Sequence, residues 1–281
     1  MITITSIFDL RQALNRIPSP LGFVPTMGYL HDGHLSLVRA ARDECASVVV
    51  SIFVNPTQFS PNEDLDAYPR DLPHDFRILK DAGADLIWTP TSEMMYPPGF
   101  QTWVTVEDVT QPLEGAQRPG HFRGVTTVVA KLFNIVQPHR AYFGQKDAQQ
   151  AAVIRQMTRD LNFPIAIVVC PTVREPDGLA ISSRNKYLNP NERDAATVLY
   201  RALTAAEMAF KSGERDAECL RQILQDTINA EPLAHLQYVS CADTETLQEL
   251  QGTIQNQALL SMAVYIGKTR LIDNLIVGNQ E

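Results

Sequence analysis

With 281 residues, 44% of them apolar and 20% charged, the chain has the composition of a folded soluble protein, with length enough for one large domain or two smaller ones. Its formal net charge of −8 argues against a broad nucleic-acid surface but leaves room for a local basic pocket around a small anion. No apolar run approaches the ~20 residues of a membrane helix, and the opening MITITSIFDLRQAL lacks the charged-then-apolar pattern of a signal peptide. The four cysteines, Cys45, Cys170, Cys219 and Cys241, form no Cys-x-x-Cys pair, so a reduced cytoplasmic chain with neither membrane nor nucleic-acid partners is expected.

In chain order, LGFVP (21–25) reads as a strand and HLSLVRAARDEC (34–45) as a helix with apolar positions three and four apart. SVVVSIFV (47–54) is apolar almost throughout, as in a strand covered on both faces. A helix near 73–82 stops at Gly83, where a left-handed cap costs little, and ADLIWTP supplies the next strand. GVTTVVAKLFNIV (124–136), RAYFG (140–144), DAQQAAVIRQMTRDL (147–161) and IAIVVCPTV (165–173) continue the helix–strand alternation. Such alternation predicts an α/β, doubly wound parallel sheet (Rossmann-like) with ligands at the carboxyl ends of its strands, near a switch in strand order.

After EPDG (175–178) the texture changes. NPNERDAATVLYRALTAAEMAFKSG reads as one helix, with Asn189 as N-cap, Pro190 at its first position, Glu192 completing a capping box and Gly213 as the stop. A second helix, about 215–229, precedes three strand-like runs, LQYVSCA, ALLSMAVYI and TRLIDNLIV, the last two joined by a Gly-Lys hairpin signal. The expected division is residues 1–174 and a smaller C-terminal α+β domain, 175–281.

Chemistry concentrates at strand ends. His31 and His34 lie between the strand 21–25 and the following helix, and three readings are open: an exposed helix start, a metal site, or the floor of a phosphate pocket. His-x-x-His without acidic or cysteine partners is a weak zinc signature. A helix N-terminus, by contrast, offers unpaired N–H groups and positive potential to an anion, and Gly28 and Gly33 permit close approach. Asn55 and Gln58, in VNPTQF, suit either turn formation or the hydroxyl and carboxylate of a substrate. In GQKDAQQ, Gly144 permits backbone approach, Lys146 can meet phosphates, Asp147 can accept from a ribose hydroxyl, and Gln150 lies a turn further on; an N-cap Asp beside a solvated Lys is the alternative. ISSR (181–184) is either a polar linker or a segment that closes over phosphates. Arg118 and Arg123 flank His121 in RPGHFRG, as a solvated loop or as anion holders, and His74, His139 and His235 lack a partner pattern. The Gly-Lys-Thr at 267–269 is not a P-loop, because the glycine that motif needs falls at Met262.

FVPTMGYLHDGH resembles the His-x-Gly-His signature of the nucleotidylyl transferase superfamily and, more narrowly, the pantothenate synthetase (pantoate–β-alanine ligase) family. SIFVNPTQF, DLDAYPRD, RPGHFRGVTTVV, FGQKDAQQ and PTVREPDGLAISSRN resemble further motifs of that family in its order, across most of 21–188. The resemblance implies an ATP- and pantoate-binding Rossmann-like domain over 1–174, a C-terminal lid over 175–281, and a homodimer. It implies ATP contacts from Thr26, Met27, Gly28, Tyr29, Leu30, His31, Asp32 and Gly33, from Gly144, Gln145, Lys146 and Asp147, and from Val173, Ile181, Ser182, Ser183 and Arg184. Gln58, Gln150 and Asn55 fall to the substrate. Where the family commonly has Met this chain has Ile181, of similar volume.

The implied reaction condenses (R)-pantoate with β-alanine, with Mg²⁺ and ATP, through a pantoyl adenylate, releasing pyrophosphate and AMP. His34 is the candidate proton donor, with His31, Lys146 and Arg184 as the other catalytic candidates. A transferase acting on another substrate, a nucleotide-binding sensor and a tRNA synthetase are the rivals; the short acidic chain speaks against the last.

Overall fold

The computed structural model describes residues 1–59, 65 and 68–278. Asp64, Asp66 and Ala67 of the DLDAYPRD motif lie outside the described residues. The chain divides into two compact units, 1–145 with 153–171, and 146–152 with 172–281.

The first unit is built on six parallel strands: β1 (Ile2–Ile4), β2 (Leu21–Thr26), β3 (Ser47–Ile52), β4 (Leu86–Trp88), β5 (Arg140–Gly144) and β6 (Ala166–Cys170), in the order β1-β4-β3-β2-β5-β6. Its helices are α1 (Ile7–Leu14), α2 (Asp32–Glu44), α3 (Leu72–Asp81), the short α4 (Ser92–Met95) and α5 (Glu114–Gln117), α6 (His121–Val136) and α7 (Ala148–Asp160), the first turn of α7 belonging to the second unit. This is the doubly wound α/β sheet that the sequence predicts. Every residue of β3 is buried, Ser47 and Ser51 included, as in a strand covered on both faces. From β2 the chain adds β3 and β4 on one side, then β5 and β6 on the other. The order therefore reverses between β2 and β5, and the carboxyl ends of those strands, at Thr26 and Gly144, flank the crevice where such sheets bind ligands. Two strands are shorter than their apolar runs suggest. β3 ends at Ile52, ahead of Asn55-Pro56, and β6 ends at Cys170, because Pro171 has no N–H to continue the ladder.

The second unit packs α8 (Pro190–Ala195), α9 (Val198–Lys211) and α10 (Ala217–Asn229) on the antiparallel sheet β7 (Ala234–Ala242), β8 (Ala258–Ile266) and β9 (Thr269–Val277). Leu199, Leu203, Leu220, Leu224, Leu260 and Met262 are among the residues of its own core. The Asn189–Glu192 capping box forms and Gly267-Lys268 turns the β8–β9 hairpin. The expectation of one helix from 190 to 212 is corrected to two. Ala196 and Thr197 stay right-handed, with ψ of −21° and −15°, and Thr197 N–H bonds back three residues to Asp194. The chain tightens into a single 3-10-type turn there, without glycine or proline.

All four cysteines are free; Cys219 is exposed, and Cys45, Cys170 and Cys241 are buried. Burial pushes the Cys241 thiol up to about 11, which leaves little thiolate at neutral pH. Alkylation of the native protein is expected to modify Cys219 alone, and intact mass should show the other three reacting only after denaturant is added. More than one adduct on the folded protein would contradict this burial.

Candidate active site

The turn from β2 into α2 is tightly held. Thr26 Oγ1 donates to the Ser51 carbonyl at 2.8 Å, and Gly28 and Tyr29 both adopt left-handed backbone, φ +82° and +50°. Tyr29 and Leu30 donate their N–H groups to the two oxygens of Asp75 at 2.9 and 2.8 Å. Asp75, on α3, is fully buried, and desolvation raises its pKa above the ordinary 3.8, with the two amides acting in the opposite sense. A side chain at Gly28 would meet Ile52 and Asp75, so the turn requires glycine on steric as well as backbone grounds.

This turn delivers His31 to the N-cap of α2 and His34 to its third position. His31 N–H donates to His34 Nδ1 at 3.3 Å, which assigns the proton of a neutral His34 ring to Nε2. The two rings lie 4.0 Å apart between centroids, tilted by 39°. A Cβ on Gly33 would sit 3.0 Å from the His31 ring, so glycine lets that ring lie against the first turn of the helix. Two imidazoles thus share the end of a helix whose dipole favours anions.

The segment after β3 forms a second constellation. Asn55 is 1% exposed and its amide is fully engaged. Its Oδ1 accepts from Tyr96 Oη at 2.8 Å and Thr57 Oγ1 at 2.9 Å. Its Nδ2 donates to the Gly124 carbonyl at 3.2 Å and to Gln58 Oε1 at 3.1 Å. Gln58 Oε1 thus accepts from Asn55, and its NH₂ group donates to Met27 Sδ at 3.0 Å. Burial holds the Tyr96 phenol above its ordinary pKa of 10.0, which keeps it a proton donor at neutral pH. Asn55 therefore forms the turn and sets the polarity of its neighbour's amide. Helix α6 clamps the same turn: His121 Nδ1 donates to the Gln58 carbonyl at 2.8 Å, and a Cβ on Gly124 would collide with the Thr57 carbonyl. Arg118 donates to His121 Nε2 at 3.1 Å, and the Arg123 guanidinium stacks 4.2 Å over Trp103. The RPGHFRG segment thus buttresses the Gln58 turn.

A 3-10 turn, Gln145–Asp147, leads into α7, and within the second unit Lys146 Nζ lies 3.8 Å from Asp147. Arg174 and Ala180 pair across a tight loop, and Ile181 N–H donates to the Val173 carbonyl at 3.0 Å. Ser182 then caps the 3-10 turn Ser183–Tyr187, its Oγ accepting from Arg184 N–H at 3.3 Å. Lys146, Ser182, Arg184, Arg270 and Asp273 are among the residues that line one narrow cleft, so three cationic side chains lie there beside one carboxylate. The structure brings these residues together, as it brings Thr26–His34 together with Asp75, and Asn55 with Gln58. Gly144 and Gln145 end the β5 segment of the first unit; Gln150 lies in the first turn of α7.

Sequence reasoning did not single out Asp75, Tyr96, Arg270, Asp273 or Asn274. The readable signal was strongest for Asp273 and Asn274, two polar residues that interrupt the apolar run 271–277. For Asp75 there was none, since its partners lie 45 and 46 positions away. Of the other histidines, His139 accepts from Leu21 N–H at 3.0 Å and serves the sheet.

The family profile of pantoate–β-alanine ligases matches residues 2–276. The chain belongs to this ligase family. It is 59% identical over 277 residues to the pantothenate synthetase of Herpetosiphon aurantiacus, covering 99% of this chain and 100% of the relative. Identity to the Roseiflexus sp. enzyme of the same name is 60%, covering 99% of each. Among solved structures, the pantothenate synthetase of Thermus thermophilus superposes with a TM-score of 0.92 at 49% identity, covering 98% of this chain and 99% of that one. The Francisella tularensis pantoate–β-alanine ligase, solved with β-γ ATP and β-alanine, superposes with a TM-score of 0.80 at 38% identity, covering 98% and 97%. Membership makes the protein a ligase on the fold described above.

Proposed function

We propose that the protein condenses (R)-pantoate with β-alanine at the expense of ATP, yielding pantothenate, AMP and pyrophosphate through a pantoyl adenylate. The observation that carries this reading is the family match over residues 2–276. A pantoate carboxylate oxygen attacks the α-phosphorus of ATP, forming an acyl–phosphate bond and breaking the bond to pyrophosphate. The β-alanine nitrogen then attacks the acyl carbon, loses a proton, and displaces AMP. Adenylation is needed because oxide is too poor a leaving group for direct amide formation.

Each constellation has a task in this chemistry. His34 Nε2–H and His31 meet phosphate oxygens at the start of α2, and Lys146 and Arg184 neutralise charge that builds as pyrophosphate departs. Gln58 offers its NH₂ to an oxygen of pantoate, oriented through Asn55 and Tyr96. Gln150 is the second pantoate residue. Among the described residues no cluster of three His, Cys, Asp or Glu side chains could hold a metal ion. Mg²⁺ is therefore assigned to the substrate, as Mg·ATP, bound mainly by phosphate oxygens.

We place the enzyme in the cytoplasm, in keeping with its free thiols; no described helix is long and apolar enough to cross a membrane. A homodimer is supported by β6, an edge strand with half-buried Ile167, Val168 and Val169, and sedimentation would test it.

The deciding assay supplies ATP, Mg²⁺, pantoate and β-alanine and omits each in turn. Pyrophosphate release should require pantoate but not β-alanine, and sustained AMP release should require both. ATP binding with no pyrophosphate release would favour a sensor instead, and adenylation of a different acid would favour another transferase. The Gly124→Ala variant is expected to raise the KM for pantoate roughly tenfold with the KM for ATP little changed, because the added methyl displaces the Gln58 turn. Equal changes in both constants would contradict that role for the turn.

A further inference from the structure

Strand β9 carries two polar residues that the site's chemistry does not explain, Asp273 and Asn274, exposed by only 2% and 5%. Burying such groups is costly unless they are bonded, and both are. Asn274 Nδ2 donates to the backbone carbonyl of Lys146 at 2.9 Å, across 128 residues of chain. Asp273 takes a two-pronged bond from Arg174, at 2.6 and 3.0 Å, and also accepts from Asn274 N–H at 2.8 Å. Arg174 in turn donates to the Gly178 carbonyl at 3.0 Å and stacks 4.6 Å from the centre of the Tyr200 ring. That ring fills the space that a Cβ on Gly178 would need. These bonds fix the loop whose closing pair, Val173 and Ile181, leads directly into Ser182 and Arg184.

We propose that Asn274 is a positioning residue for Lys146, and that Asp273, acting through Arg174, does the same for the Ser182–Arg184 segment. Neighbouring residues of one strand thus set the spacing of the two cationic segments that line the cleft. Lys146 leaves a 3-10 turn, where the backbone makes few regular bonds of its own, so an outside donor has the larger share in placing its Cα. Nothing in this arrangement requires Asn274 to touch a ligand.

The inference rests on the reading that Lys146 meets the triphosphate, and a double-mutant cycle separates the two. Asn274→Ala should raise the KM for ATP about tenfold, the scale of losing one buried hydrogen bond. The KM for pantoate should change little by comparison, and the melting midpoint should fall by only a few degrees, as for any single lost hydrogen bond. In a Lys146→Ala background the same substitution should cost nothing further, because the side chain it positions is gone. A full additional loss in that background, or wild-type kinetics for Asn274→Ala, would overturn the proposal. Wild-type kinetics for Lys146→Ala alone would instead overturn the reading beneath it. If Asn274→Ala does not fold, Asn274→Ser, which stays polar but drops the amide N–H that reaches the Lys146 carbonyl, goes through the same cycle with the same expected outcomes.

Discussion

Replacement of His34 by alanine is expected to slow pantoate-dependent pyrophosphate release by ~10²-fold or more, the usual cost of removing a donor that acts on developing charge. The geometry specifies which nitrogen matters. Nδ1 is occupied as an acceptor for His31 N–H, so the donor is Nε2–H, held in one orientation by the cap of α2. The substitution also strips the turn of that acceptor, so His34→Gln is the informative companion. Glutamine retains an NH₂ donor of similar reach and should lose less than alanine does. Quench-flow detection of the adenylate gives the relevant rate without the second half-reaction. An alanine variant that forms the adenylate at the wild-type rate would remove His34 from the chemistry.

The second large effect is on stability. Asp273→Ala should cost ~3–5 kcal/mol, because it strands a mostly buried guanidinium without its counter-charge. The side chains of Arg174 and Asp273 are 18% and 1% exposed. The Arg42–Asp85 pair, of equal length at 2.6 Å but 31% and 43% exposed, should be worth at most ~1 kcal/mol. Urea unfolding of the two single variants makes the comparison, each variant also losing one backbone N–H bond, from Asn274 to Asp273 and from Val48 to Asp85. Replacing both Arg174 and Asp273 with apolar residues of similar volume should recover much of the loss, since no charge is then left unpaired. Equal midpoints for Asp273→Ala and Asp85→Ala would show that burial does not govern these pairs.

Much of the fold was legible because its signals are local. The β-branched runs at 47–52 and 140–144, the Asn189 cap and the Gly267 hairpin each announce themselves within a few residues. The break at Ala196–Thr197 was not legible, because it consists of a change of about twenty degrees in ψ with no glycine or proline to mark it. The strand-end motifs marked His31, His34, Gln58, Lys146 and Arg184 as candidates, and the structure puts the two histidines at the start of α2 and lines one cleft with Lys146 and Arg184. The division of labour among them was hidden. Asn55 looked equally suited to a turn or a substrate, and its saturation by Thr57, Tyr96 and Gly124 depends on partners up to 69 residues away. Asp75, Asp273 and Asn274 act through bonds of similar or longer range, which no periodicity encodes.

The carboxylate of Asp75 has one more consequence. Two amides of the β2–α2 turn that could have formed a bare anion nest are already committed to it. Loose phosphate or sulfate should therefore find little purchase at this turn. In the proposed reaction, retention there would fall to the imidazoles and the remaining helix-end amides, which would favour a polyphosphate anchored elsewhere along its length over the small free anions that crowd a cell.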